Sequence, residues 1–352
     1  MYSGAPLLPR RWICCLIAAC LSACAGAPSS DAPLETPALA KSSAPSLFRP
    51  QAAKPLLPPA AASTALIAAL DDLQTQQNRL NLLAAPLLLN NVDLCKRNAR
   101  SVVGFIAKAP SGPAEQLQIM TVFPGSGAAQ SGLLAGDVLL AIGDGKIAPG
   151  PNAERDAARL LDTAIKGHAS IGLTVLRAKV PLSVNLLLSR ACGFDIELGN
   201  TDNINSYTDG RRVMLTRGML NFVRSDEELA YVLAKEIAHA ALTPTARSGM
   251  RLMIDKLMPV AAPGAAALRA PVLQAYVPVT DATADKLALY MLVRANYDVA
   301  NAVSFWQRLA GASIMANGYT ALHPATAYRI SVIKAVMASI KLKQSNQLPI
   351  MP

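Results

Sequence analysis

SDEELAYVLAKEIAHA, residues 225–240, decides how the second half of this chain folds. Ser225 followed three residues later by Glu228 is a capping box, so a helix starts there and runs to about Leu242. Positions four apart share one helical face, which sets Lys235 beside His239 with Glu236 next to the first of them. Taken alone, K-E-x-x-H at 235–239 has a plain reading: a surface glutamate and a satisfied core histidine.

Outward from this helix the texture changes. Residues 193–345 carry apolar residues at helical spacing with few strands, whereas 92–190 alternate short β-like runs (LQIMTVF, DVLLAIG, SIGLTVL, LSVNLLL) with glycine turns and one helical stretch at 152–165. A helix-friendly run covers 61–90, and Pro86 is expected to break or kink its end. Residues 25–60 hold eight prolines among alanines and serines, which makes them a disordered tether. The fold class expected is α+β, a β-rich domain at 92–190 followed by a mainly helical domain at 193–345. The apolar stretch from Leu257 to Val279 is cut by Pro259, Pro263, Pro271 and Pro278, and reads as an irregular flap or groove wall.

The first 24 residues have the form of a secretion leader, with Arg10 and Arg11 before an apolar run too short to span a bilayer. Leu21-Ser22-Ala23-Cys24 resembles the bacterial lipobox, which implies cleavage before Cys24, a lipid on that residue, and a place in the cell envelope facing the periplasm. Ala25 after the cysteine resembles the outer-membrane sorting pattern. Of six cysteines only Cys95 and Cys192 then remain in the folded part, either as a disulfide or as two unrelated buried thiols. The formal charge of +10 falls to +8 without the leader, a balance suited to an anionic lipid surface. Nucleic acid is not expected as a partner, because no Lys/Arg run is interleaved with aromatics.

Residues 122–147 (VFPGSGAAQSGLLAGDVLLAIGDGKI) place Gly125, Gly132 and Gly136 at turns and let Asp137 open a buried strand. The order of glycines, the Gly-Asp pair and the apolar strand resemble the PDZ domains of bacterial envelope proteases. That resemblance implies a PDZ-like β-sandwich or barrel in which a peptide adds as an extra strand. It implies too that Val103, Gly104, Phe105 and Ile106 capture the peptide's C-terminal carboxylate; the alternative is that Gly104 and Phe105 only turn the chain and plug the core. His168, between Gly167 and Ala169, reads as an idle loop residue.

The run NSYTDGRRVMLTRG at 205–218, the helix at 225–240, Asp281-Ala-Thr-Ala-Asp285, SFWQRLA at 304–310 and His323-Pro324 together resemble metallopeptidase family 48. In that family the helix reads H-E-x-x-H and binds zinc, and the third ligand is the Glu of E-x-x-x-D. The resemblance implies a zincin-like fold with Glu236 as general base, His239 as a metal ligand, Asp281 where the third ligand stands, Asp285 as the second acid and His323 near the site. The first ligand position holds Lys235, whose ammonium has three donors and no lone pair. Zinc is therefore expected to be absent or weakly bound, with an ion pair from Lys235 to Asp281 or Asp285 in its place. Three functions follow as expectations. One is a pseudo-peptidase that binds polypeptides or protein C-termini in quality control. Another is an active zinc endopeptidase using Glu236, with His239, Asp281 and His323 as ligands, and the last is an assembly factor using the helical domain as a surface.

Overall fold

Apolar runs with a period of two, closed by glycine turns, form the β-rich half as antiparallel strands, and one amphipathic helix covers them. The computed structural model describes residues 59–95, 98–109, 116–243, 248–258, 271–312 and 318–352. The leader, Cys24, the tether up to residue 58, and Pro259 and Pro263 lie outside these residues.

Helix α1 (Pro59–Leu89) comes first, followed by strand β1 (Ala99–Val102). The sheet domain then runs through β2 (Phe105–Lys108), β3 (Gln118–Val122), α2 (Gly127–Gln130), β4 (Val138–Ile142), β5 (Gly145–Lys146), α3 (Ala153–Ala164), β6 (Ser170–Arg177) and β7 (Val180–Leu187). Its strand order is β2-β3-β4-β6-β7, all antiparallel, with β5 paired to β4. Ile119, Leu139, Val175 and Leu186 fill the core together with Ala153 and Ala157 of α3. Asp137 is nearly sealed inside, where its carboxylate accepts the Leu134 N–H and a two-pronged contact from Arg177 Nε and Nη2, each at 2.7 Å. That pairing explains why an aspartate opens a buried strand.

The chain leaves this domain by β8 (Ser189–Cys192), which pairs antiparallel with β1. Beyond it come β9 (Asp195–Gly199), β10 (Ser206–Thr208), β11 (Arg212–Thr216), α4 (Arg217–Phe222), α5 (Asp226–Leu242), α6 (Ser248–Leu257), α7 (Pro278–Arg294), α8 (Ala302–Ala310), α9 (Tyr319–Leu322) and α10 (Ala327–Ser345). The three-stranded sheet β10-β11-β9, parallel between β11 and β9, was not evident from sequence in a segment read as mostly helical. α5 starts at the expected cap, with Ser225 Oγ accepting the Glu228 N–H. It is buried from Leu229 to Ala240, because α7 packs along it and α1, α8 and both strands β10 and β11 close its other sides.

Two departures concern α1. The helix runs through Pro86 to Leu89 instead of breaking there: the missing N–H costs one bond, while Ala84, Ala85 and Leu87 become buried around it. α1 also belongs to the helical body, since Leu80, Ala84 and Leu87 share one core with α5, α7 and α10, and Gln77 bonds the Ile196 carbonyl and the Leu198 N–H on β9. That body core contains no residue from 103–188. The sheet domain is thus inserted into the body through the β1–β8 pair, and the Cys95–Cys192 disulfide, with both sulfurs buried, closes the entry and exit.

Candidate functional site

Helices α5 and α7 lie side by side and bring five titratable groups to one buried point. Lys235, Glu236 and His239 come from α5, Asp281 and Asp285 from α7, and all five are at most 2% exposed. His323 joins them from the end of α9. Asp281 Oδ1 is the hub: Lys235 Nζ lies 2.9 Å from it, His239 Nε2 2.9 Å and His323 Nδ1 2.8 Å. Lys235 Nζ is also 2.9 Å from Asp285 Oδ1, though neither ammonium contact has hydrogen-bond alignment. Arg329 of α10 completes the cluster, donating to both Asp285 oxygens and standing 2.9 Å from Asp281 Oδ2. On the other side, His323 Nε2 faces Glu236 Oε1 at 3.2 Å, and Ser206 Oγ of β10 donates to that same oxygen at 2.9 Å.

These neighbours fix the charges. Burial by itself would raise the Asp281 carboxyl, but hydrogen bonds from His239 and His323 and the Lys235 ammonium override it and hold the group well below the usual carboxylate range. Asp285 is likewise lowered against the pull of burial, by Lys235 and then Arg329, and Glu236 against burial by His323. His239 goes down, because burial disfavours its charged form more than the Asp281 bond favours it. The cluster is also roofed by rings. Tyr276 stacks on His239 at 4.1 Å and on His323 at 4.9 Å, Tyr319 also stacks on His323 at 4.4 Å, and Trp306 lies 5.2 Å from Lys235 Nζ.

The second candidate region lies in the sheet domain. Gly104 adopts φ +77° and its carbonyl accepts both the Phe123 N–H and the Ser126 hydroxyl. A Cβ there would sit 2.5 Å from Ser126, so both conformation and space require glycine. The expected four-residue loop is shorter in the structure: Val103 and Gly104 form it, while Phe105 and Ile106 already belong to β2, because Phe105 is drawn into the core opposite Val122. β2 is an edge strand, bonded on one side only to β3 among the described residues. His168 is exposed and meets none of these groups.

Residues 185–337 match the model of Peptidase family M48. No curated protein matches the chain. Among the solved structures similar to it, each covering about a quarter of the chain, are the HtrA3 PDZ domain bound to a phage-derived ligand (14% identity, 26% of this chain and 88% of that one, TM-score 0.21), a serine endoprotease from Yersinia pestis (19%, 27% and 30%, 0.21) and a PDZ domain protein from Parabacteroides distasonis (20%, 26% and 20%, 0.22). The chain spans under a third of the last two.

M48 proteins are usually zinc-dependent, and within the segment that matches the M48 model His239, Asp281 and His323 are the described residues whose ligand atoms lie together, within 4.8 Å of one another. They do not fit the ion as arranged. Tetrahedral zinc at about 2.0–2.1 Å from N and O ligands keeps those atoms about 3.3 Å apart, with lone pairs pointing inward. Here the two imidazole nitrogens point at a carboxylate oxygen from 2.8–2.9 Å, and the Lys235 ammonium stands 2.9 Å from that same oxygen. A metal-binding histidine also donates its other N–H to a partner, and His239 Nδ1 has no hydrogen-bond partner among the described residues.

Lys235, Glu236, His239, Asp281, Asp285 and His323, all picked out from sequence, meet in space. Ser206, Tyr276, Tyr319 and Arg329 were missed. Ser206 lay inside the stretch at 205–218 already noted for its resemblance, whereas nothing in the sequence near Arg329 announces that its guanidinium reaches back 44 residues to Asp285.

Proposed function

We propose that this chain is a lipid-anchored envelope protein that binds polypeptides through its PDZ-like domain and carries an M48 domain without peptidase activity. The observation that carries this reading is the fully buried ammonium of Lys235, 2.9 Å from both Asp281 and Asp285 at the position of the first metal ligand. Together with Arg329 it supplies the positive charge that two buried carboxylates need, without the lone pair a metal needs. Glu236 then has no metal-bound water to activate, and Tyr276 covers the two imidazoles that a substrate carbonyl would have to approach. The lipid on Cys24, a role in protein quality control and capture of exposed chain ends are parts of this proposal, supported by the leader and by the open edge of β2.

Metal content and casein cleavage test it together. The purified protein should hold well under one zinc per chain and show no chelator-sensitive cleavage. One tightly bound zinc, with cleavage abolished by Glu236→Gln, would establish an active endopeptidase instead. The clustering of His239, Asp281 and His323 is the observation that favours this second reading.

A further inference from the structure

The free edge of β2 has a built-in stop. Because the Gly104 carbonyl bonds the Phe123 N–H, Phe105 opposite Val122 forms a non-bonded pair and turns its own N–H and C=O away from β3. The register shift between Ile106 and Ala107 places its extra residue, Met120, on β3, so the alternation along β2 is undisturbed and Ala107 and Ala109 also face outward. The opposite edge of the sheet is blocked at its C-terminal end, where Leu187 of β7 gives its N–H to Ser131 Oγ and a Cβ on Gly127 of α2 would meet the Leu187 carbonyl at 1.9 Å. β2 is the edge strand that follows the Val103–Gly104 loop directly, and so the one along which a strand held by that loop would add. At its far end the Ala109 N–H is already taken by Glu154 Oε1, at 2.9 Å. Glu154 sits in the first turn of α3, which Ala153 and Ala157 anchor in the core.

We infer that Glu154 limits how much of a bound chain end is read. The inference rests on the proposed capture of a C-terminal carboxylate at Val103–Gly104. A peptide seated there runs antiparallel to β2. With a period of two, its last residue pairs with Phe105, its third from last with Ala107 and its fifth from last with Ala109. The Glu154 carboxylate occupies the N–H which that fifth residue needs, and also presents a carboxylate oxygen toward the incoming carbonyl. Main-chain recognition ends before the fifth position, so the domain reads only a short stretch at the very end of a polypeptide.

The test uses the full chain. Peptides are selected from a C-terminally displayed random library, then the winners are synthesised as their last four and last eight residues and titrated by fluorescence polarisation. For the wild-type protein the two lengths should agree within about threefold. In Glu154→Ala the freed N–H should make the eight-residue peptide about fivefold tighter than the four-residue one, the worth of one net hydrogen bond. Glu154→Gln, whose amide oxygen accepts the same N–H, should behave as wild type, which separates the bond from a general loosening of α3. A wild-type preference for eight residues beyond about threefold, or no gain of length dependence in Glu154→Ala, overturns the stop while leaving end capture standing. Failure to select any peptide overturns end capture and the stop with it.

Discussion

Lys235 sits where its neighbours leave little choice. Replacing it with Met keeps much of the volume but removes the ammonium from between Asp281 and Asp285, and breaking a buried ion pair from one side costs about 3–5 kcal/mol. Urea unfolding of Lys235→Met should show a loss of that order, whereas a variant as stable as wild type would mean the ammonium holds nothing together. Tyr276 gives a second check. The chain has three histidines, of which His168 is exposed while His239 and His323 are at most 1% exposed beneath the tyrosine ring. Diethylpyrocarbonate should modify only His168 in the wild type, and all three in Tyr276→Ala, as read by mass spectrometry. At this scale the sequence was legible wherever chemistry is bound to helical spacing: i and i+4 on one helix set Lys235 beside His239, and Asp281 and Asp285 follow the same rule. It was silent on Tyr276 and Arg329, because their places depend on how separate segments pack, and no local pattern encodes that.

Single elements have their own sensitivities. The strand that opens at Asp137 is tied to β6 by Arg177, whose guanidinium lowers the Asp137 carboxyl below the value it has in an unfolded chain. A carboxyl lowered on folding contributes stability that is fully present above its unfolded pKa, near 3.9, and is lost as pH falls through the lower folded value. Acid unfolding of the sheet domain, followed by circular dichroism below about pH 4, should therefore lose part of its pH dependence in Arg177→Met. The strands β3, β4, β6 and β7 were legible as short β-like apolar runs, although the turn between β6 and β7, at Ala178 and Lys179, has positive φ without a glycine to mark it. β1 and β8 were not: ARSV and SRAC are four-residue segments with no alternation to speak of, and only their pairing across the sequence makes them strands. Likewise α1 showed itself as a helix, but nothing in its weak amphipathicity told which domain it would join.

Among the described residues the sheet domain and the helical body have separate cores, the body carrying a second, smaller cluster around Tyr207 and Tyr276, and a pair of short strands with a disulfide across 97 residues lies at the junction. On the chain-entropy model a loop of that length is worth about 4–5 kcal/mol. The double variant Cys95→Ala with Cys192→Ala should melt at lower temperature than wild type, and an unchanged melting curve would show that the β1–β8 pair alone holds the junction. Two domains were readable from the change in texture along the chain. That one sits inside the other was not, because a nested order and a serial one leave the same trace in a linear sequence when the segment outside the guest is a single helix. Val102 and Ser189 are direct partners across the two strands. If residues 103–188 were excised and replaced by a two-residue Asn-Gly turn, β1 and β8 would become an ordinary hairpin. The host would lose none of its own interior, so the guest domain is a cassette that evolution, or an engineer, can slot in and out at one point.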